Sequence, residues 1–177
     1  MIEQLVSPLI ATPFPTTFLD YPDDESCAVI VYMMGCSHNC IGCQNKDYQN
    51  SEFTQGTKQF SAKILIEEIK RVCKRNYTNK IVFSGGDPLF QNNIEFTRWL
   101  LSQLKNEFEV CIYTGYDISY VKQQQITGWK FIVVGQYKKD LSIQSEKTDK
   151  YLQLASTNQE IYDQDFICLT TEGRIYF

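Results

Sequence analysis

An unbroken apolar stretch, Cys27-Ala28-Val29-Ile30-Val31-Tyr32-Met33-Met34, runs straight into Gly35-Cys36-Ser37-His38-Asn39-Cys40-Ile41-Gly42-Cys43. A stretch of that length without polar interruption reads as a strand buried on both faces, as inside a parallel sheet. The loop after it carries cysteines at Cys-x3-Cys-x2-Cys spacing. The fold is thereby constrained at one point: a buried strand has to deliver a thiol-rich loop from its carboxyl end.

Three thiolates are one short of the four that normally close a [4Fe–4S] cluster. One iron would stay open to a small molecule, by the logic that separates catalytic metal sites from closed structural ones. The rival is a non-catalytic zinc module. Zinc takes four ligands, usually from separated pairs, and no further Cys or His pair follows here. His38 is the chain's only histidine and lies two residues from both Cys36 and Cys40. A tetrahedral site using all four side chains would be cramped, so His38 is read as a neighbour of the ligands.

That lone histidine removes whole classes of function. Metal sites of three histidines, or of two histidines and a carboxylate, need more imidazoles than the chain has. A Ser–His–Asp triad would have to draw on a residue inside the cysteine loop. Seven cysteines in all make a poor disulfide framework and suit a reduced compartment. Cys27, Cys73, Cys111 and Cys168 sit in apolar patterns and are expected to be buried.

The remaining bounds are plain. At 177 residues, 43% apolar and 21% charged, the chain is expected to form one domain spanning 1–177. A net charge of −4 with scattered Lys and Arg gives no footprint for nucleic acid. No apolar run reaches the roughly 18 residues that span a bilayer. The start, Met1-Ile2-Glu3-Gln4-Leu5, lacks a charged segment followed by an apolar one, so a cytoplasmic protein is expected.

Along the chain, strand and helix signals alternate. Ser61 precedes apolar residues at helical spacing: Leu65, Ile66, Ile69, Val72 and Cys73. Lys80 to Ser84 reads as a second buried strand, and Asn92 or Asn93 as the cap of a helix presenting Phe96, Leu100 and Leu104. Phe108 to Tyr113 is a third strand, Ile118 to Gln124 a short helix and Trp129 to Val134 a fourth strand. The stretch from about Lys138 to Asp163 is polar and read as mostly irregular. Phe166 to Leu169 and Arg174 to Phe177 read as a closing hairpin, about 166–177. Repeated strand–helix units imply a parallel α/β sheet with right-handed crossovers. The strands are too few for a barrel of eight, so an open, partial (β/α) barrel is expected.

In such sheets ligands bind beyond the carboxyl ends of the strands. Gly85-Gly86-Asp87-Pro88 and Thr114-Gly115-Tyr116 should therefore share a cavity with the cysteine loop. Two glycines let a backbone approach a ligand closely, and carbonyls near the Asp87 carboxylate suit an ammonium group.

The cysteine loop, Ser84-Gly-Gly-Asp-Pro-Leu89, Thr114-Gly-Tyr116 and Ser156-Thr-Asn-Gln159, in that order, resemble the radical S-adenosylmethionine enzymes. Among these they look like the activating proteins of anaerobic (class III) ribonucleoside-triphosphate reductases, over roughly residues 18–162. The resemblance implies that Cys36, Cys40 and Cys43 ligate a [4Fe–4S] cluster whose open iron binds S-adenosylmethionine. Gly42, Cys43 and Gln44 would lie against its adenine. Gly85 and Gly86 would bind its ammonium, Asp87 would shape that loop, and Asn158 would make a further contact. A flavodoxin-like donor would supply an electron, and the resulting 5′-deoxyadenosyl radical would take a glycine hydrogen atom from the partner reductase. Hydrogen abstraction needs no acid–base side chain. The same chemistry directed at another glycyl-radical enzyme or a peptide is the alternative within the superfamily. The chain departs from the family pattern at Tyr113, where tryptophan is usual, at Val134-Gly135, at Leu154-Ala155 and in Tyr21-Pro22-Asp23-Asp24-Glu25.

Overall fold

A computed structural model describes residues 5–23, 27–143 and 151–176. Asp24, Glu25, Phe177 and the middle of the polar stretch, 144–150, lie outside the described residues. The elements are β1 (Ile10–Ala11), β2 (Thr16–Thr17), β3 (Ala28–Met33), β4 (Thr57–Lys58), α1 (Ala62–Arg75) and β5 (Lys80–Gly85). They continue as α2 (Ile94–Leu104), β6 (Glu109–Tyr113), α3 (Ile118–Gln123), β7 (Phe131–Val134), β8 (Tyr151–Gln153), β9 (Glu160–Asp163) and β10 (Arg174–Tyr176).

The centre of the fold is the expected one. β3, β5, β6 and β7 pair in parallel, in chain order. Antiparallel strands extend this core into an open eight-stranded sheet: β2 and β1 on β3, β4 on β1, and β9 on β7. The class is mixed α/β. Strand alternation sorts the side chains onto two faces. Val29, Val31, Phe83, Ile112 and Ile132 enter a core with Leu65 and Ile69 of α1, Leu100 and Leu104 of α2, and Val121 of α3. Ala28, Ile30, Val82, Cys111 and Val133 point the other way, into a smaller core with Tyr21, Leu154, Ile161 and Ile175. The helices thus occupy one face, and the chain before β3 and after β7 covers part of the other.

Helix caps depart from the simplest reading. Ser61 is the N-cap of α1, but its side chain makes no capping bond; its carbonyl accepts from Leu65 N at 3.0 Å. Asn93 stands at the start of α2, yet its amide donates to the carbonyls of Met34 (3.0 Å) and Asp87 (2.9 Å). That asparagine ties the base of the cysteine loop to the end of β5.

The C-terminal region differs from expectation. The two apolar runs do not pair with each other among the described residues. β10 pairs with β8, and Cys168 bridges to Tyr162 in β9. The run from Phe166 is not strand-like: Phe166 has φ +62°, its ring meets Trp129 edge-on at 5.4 Å, and Ile167 is 59% exposed. Cys168 is accordingly exposed and Cys27 partly so, whereas Cys73 and Cys111 are buried. The polar stretch read as irregular contains β9, an edge strand that buries only Ile161. One inward apolar residue gives too weak an alternation to recognise. Among the described residues, no helix is long and apolar enough to cross a membrane.

Candidate metal centre and adjoining cavity

The cysteine loop leaves β3 at its carboxyl end and is pinned where it departs. Gly35 N donates to Tyr48 O (2.8 Å) and Cys36 N to Gln49 O (3.0 Å), so the loop closes on the short 3-10 turn Lys46–Gln49. β5 holds it from the other side: Gly86 N donates to Met33 O and Asp87 N to Gly35 O, both at 2.8 Å. This packing explains the two glycines. A Cβ on Gly86 would stand 2.4 Å from both Gly35 O and Tyr48 O, and one on Gly85 2.5 Å from Met33 O. Their bareness is needed first by the neighbouring backbone of the cysteine loop, before any ligand is considered.

Asp87 is the hub of the rim. Its carboxylate is 1% exposed. It accepts from Leu89 N (2.8 Å), Thr114 Oγ1 (2.9 and 3.0 Å), Gly115 N (2.9 Å) and His38 Nε2 (3.0 Å). His38 spends its other ring nitrogen on Gln136 Nε2 (2.9 Å) and lies edge-on to Tyr116 at 4.5 Å. One histidine therefore fastens the cysteine loop to the loops after β5, β6 and β7. A Cβ on Gly115 would meet its ring at 2.3 Å, which is why glycine follows Thr114.

Cys36, Cys40 and Cys43 line one small cavity of about 120 Å³ with Gly86, Asp87, Thr114 and Gly115. Burial pushes the Cys36 thiol up to about 11; the His38 backbone N–H opposes this, and Asp87, Cys40 and Cys43 add to it. Cys40 is raised as well, first by burial and then by Cys43. These thiols would release protons on taking up metal. The tightest set of potential ligand atoms among the described residues is Cys36, His38 and Asp87, within 4.8 Å of one another. Both ring nitrogens of His38 and both oxygens of Asp87 are already hydrogen-bonded, which speaks against a single ion held by that set. What remains for metal is three thiols facing one space, a donor set that suits an iron–sulfur cluster.

A second cavity of about 790 Å³ opens beside the first, on the face of the sheet opposite the helices. Tyr32, Ser84 and Tyr113 rise into it from β3, β5 and β6; Gln44 and Asn45 border it from the cysteine loop, and Leu154 and Ala155 from beyond β8. Its volume suits a molecule of cofactor size. Ser84, Tyr113, Tyr137 and Gln159 line both spaces.

The site residues read from sequence are thus only partly gathered. The cysteines, Gly86 and Asp87 converge, and Gln44 borders the larger cavity. Gly42 has φ +81° and faces Tyr137 and the stem of Lys139. Gly85 packs on β3. Asn158 donates from Nδ2 to Gln136 O (2.9 Å), and among the described residues its Oδ1 is buried without a hydrogen-bond partner. Thr114 and Gly115 share the thiol cavity, as their place at a strand end predicts; sequence reasoning missed Gln136 and gave little weight to Gln159. The Thr-Gly pair at a strand end was the available signal; nothing local marks Gln136.

A mixed α/β sheet that delivers three thiols to one space from a strand's carboxyl end defines an iron–sulfur protein. The chain belongs to the 4Fe-4S single cluster domain family, whose pattern matches residues 24–162. It is similar to the anaerobic ribonucleoside-triphosphate reductase-activating protein of Enterobacteria phage T4, at 27% identity over 151 residues, covering 81% of this chain and 88% of that protein. It is also similar to the protein of the same name from Pasteurella multocida, at 28% identity over 159 residues, covering 80% of this chain and 93% of the relative. A Haemophilus influenzae protein of that name is 27% identical over 123 residues, 59% of this chain and 71% of the relative.

Proposed function

We propose that this protein is a radical S-adenosylmethionine activase for an anaerobic ribonucleoside-triphosphate reductase. On this reading it is a single domain built as an open partial barrel, works in the cytoplasm and receives its electron from a flavodoxin-like donor. The observation that carries the reading is the adjacency of two spaces: a three-thiol cavity opening beside a cavity of about 790 Å³ at the carboxyl ends of the parallel strands. The similar activating proteins of phage T4 and Pasteurella multocida supply the partner.

Cys36, Cys40 and Cys43 would hold the cluster. When bound and reduced, such a cluster would supply one electron for reductive cleavage of S-adenosylmethionine. The chain's own residues position and exclude. Gly42 and Gln44 would flank the adenine, carbonyls at Gly85 and Gly86 would take the ammonium, and the unpartnered Asn158 Oδ1 would accept from the cofactor. Asp87 acts at one remove, fixing the Gly85-Gly86 loop against the cysteine loop. Tyr32, Tyr113 and Leu154 give the larger cavity part of its wall, beside polar side chains such as Gln44, Asn45, Ser84 and Gln159 that could hydrogen-bond a polar cofactor. No general acid or base is called for, since a hydrogen atom moves as one unit.

The departures from the family pattern at Tyr113, Leu154 and Ala155 all line the larger cavity. They favour keeping one second reading open: the same radical chemistry on another glycyl-radical enzyme or peptide. The test is anaerobic reconstitution with iron and sulfide, reduction by dithionite and addition of S-adenosylmethionine, alone and with a class III reductase. Formation of 5′-deoxyadenosine and of a glycyl radical in the reductase is expected. Cofactor cleavage without radical transfer selects the second reading; no cleavage in either arm with a loaded cluster overturns both.

A further inference from the structure

We infer that the turn Thr17–Asp20 is a positioning element at the larger cavity, held there by Tyr113, and that it sets which glycine-bearing segment can be presented to the site. This deepens the proposed function and rests on it. The turn follows β2, whose Thr17 pairs with Ala28 of β3. Thr17 Oγ1 braces it from within, donating to Asp20 Oδ2 (2.6 Å) and accepting from Leu19 N (3.0 Å) and Asp20 N (3.2 Å). The sheet holds it from another side. Tyr113, at the carboxyl end of β6, donates its hydroxyl to Asp20 O (2.9 Å) across 93 residues of sequence. Just beyond the turn, Tyr21 is 2% exposed, packs in the smaller core and lies edge-on to Phe131 at 5.7 Å. Asp23 then pairs with Lys80 at the start of β5.

What this bracing holds out is apolar. Phe18 is 65% and Leu19 77% exposed. Leu19 and Asp20 also line the cavity of about 790 Å³. Of the large apolar side chains lining that cavity, Leu19 is the exposed one among the described residues. A loose turn would lose conformational entropy on meeting a partner, whereas a braced one has its contact surface ordered in advance, which raises affinity. Tyr113 lines both the larger cavity and the three-thiol cavity, so one side chain ties the turn to the metal site. Transfer of a hydrogen atom needs the reacting atoms in near contact. The target glycine therefore has to lie inside the cavity while the residues beside it meet the rim. Phe18 and Leu19 suit an apolar side chain flanking that glycine. The turn acts on presentation of the protein substrate and not on cleavage of S-adenosylmethionine.

The test uses the full chain with its reconstituted cluster and a class III reductase as protein substrate. The rate of glycyl-radical formation is followed by electron paramagnetic resonance against reductase concentration, and 5′-deoxyadenosine is measured in the same samples. Tyr113→Phe keeps the ring and removes the bond to Asp20. It is expected to raise KM for the reductase about tenfold, the scale of one lost hydrogen bond, and to lower the number of glycyl radicals per 5′-deoxyadenosine. Thr17→Val should do the same, and its S-adenosylmethionine cleavage without reductase should match wild type. Leu19→Ser should raise KM with the urea midpoint unchanged, and it tests the inference even where loosening the turn impairs folding. A turn that only stabilises the fold would lower the urea midpoint of Tyr113→Phe and Thr17→Val with KM and radical yield untouched, and that outcome overturns the inference. A wild-type KM in Leu19→Ser overturns it too. Failure of the proposed function shows in the wild-type chain itself, which would cleave no S-adenosylmethionine with or without the reductase, and the inference then falls with it.

Discussion

His38 Nε2 lies 3.0 Å from Asp87 Oδ2, joining the cysteine loop to the end of β5 across 49 residues of sequence. The carboxylate is buried and accepts from four separate residues. Asp87→Asn keeps the shape but turns one acceptor into a donor facing other donors. Leaving such groups unsatisfied costs about 1–3 kcal/mol. Urea unfolding should show that loss, and iron and sulfide content after reconstitution should fall with it. An unchanged urea midpoint and full iron content would contradict the hub role.

Cys36→Ala, Cys40→Ala and Cys43→Ala are each expected to abolish formation of a stable [4Fe–4S] cluster, read as loss of brown colour and of bound iron. Cys73→Ala is the control. Cys73 packs in the helical core, so its loss should cost about 1 kcal/mol of stability and leave iron content intact. Full cluster content in any of the three loop variants would break the ligand assignment.

Gly86→Ala and Gly42→Ala should separate two kinds of glycine. At Gly86 the new Cβ meets carbonyl oxygens of Gly35 and Tyr48 at 2.4 Å, so the cysteine loop has to move. A loss of more than about 2 kcal/mol and poor cluster loading are expected. At Gly42 the nearest atom is 3.5 Å away and only the φ of +81° resists, a cost of about 1 kcal/mol. Thermal unfolding of the two side by side checks the order.

Thiol chemistry should follow burial. Burial pushes Cys73 up to about 12 and Cys111 well above the usual thiol value. A raised value keeps the thiol protonated, and so unreactive, through pH 8. Brief alkylation of the native protein followed by peptide mass spectrometry should mark the exposed Cys168 and spare Cys73 and Cys111. Loading the cluster should then protect Cys36, Cys40 and Cys43 as a group.

How much of this was legible beforehand follows from where the signals sit. β3 and β5 were readable because both faces are buried, leaving continuous apolar runs from Ala28 and from Ile81. The cysteines were readable from spacing alone. The C-terminal pairing was not, because apolar content at Ile167 and Cys168 mimics a strand while Phe166 turns the chain at positive φ. Cys168 was misjudged for the same reason. The glycines of the β5 loop were recognised as a place of close approach. What approaches them, the backbone of Gly35 and Tyr48, depends on a contact across some fifty residues that no local pattern encodes. His38 was read as a neighbour of the cysteines, but its partners Asp87 and Gln136 come from separate loops and carry no shared sequence mark.

The contacts that shape the thiol loop run through oxygen and nitrogen: His38 to Asp87 and Gln136, Gly35 to Tyr48, Asp87 to Gly35. Sulfur takes only a minor part in this scaffolding, with Cys36 Sγ accepting from His38 N at 3.4 Å. The thiol loop is therefore braced chiefly by bonds that uptake of metal at sulfur would not have to break.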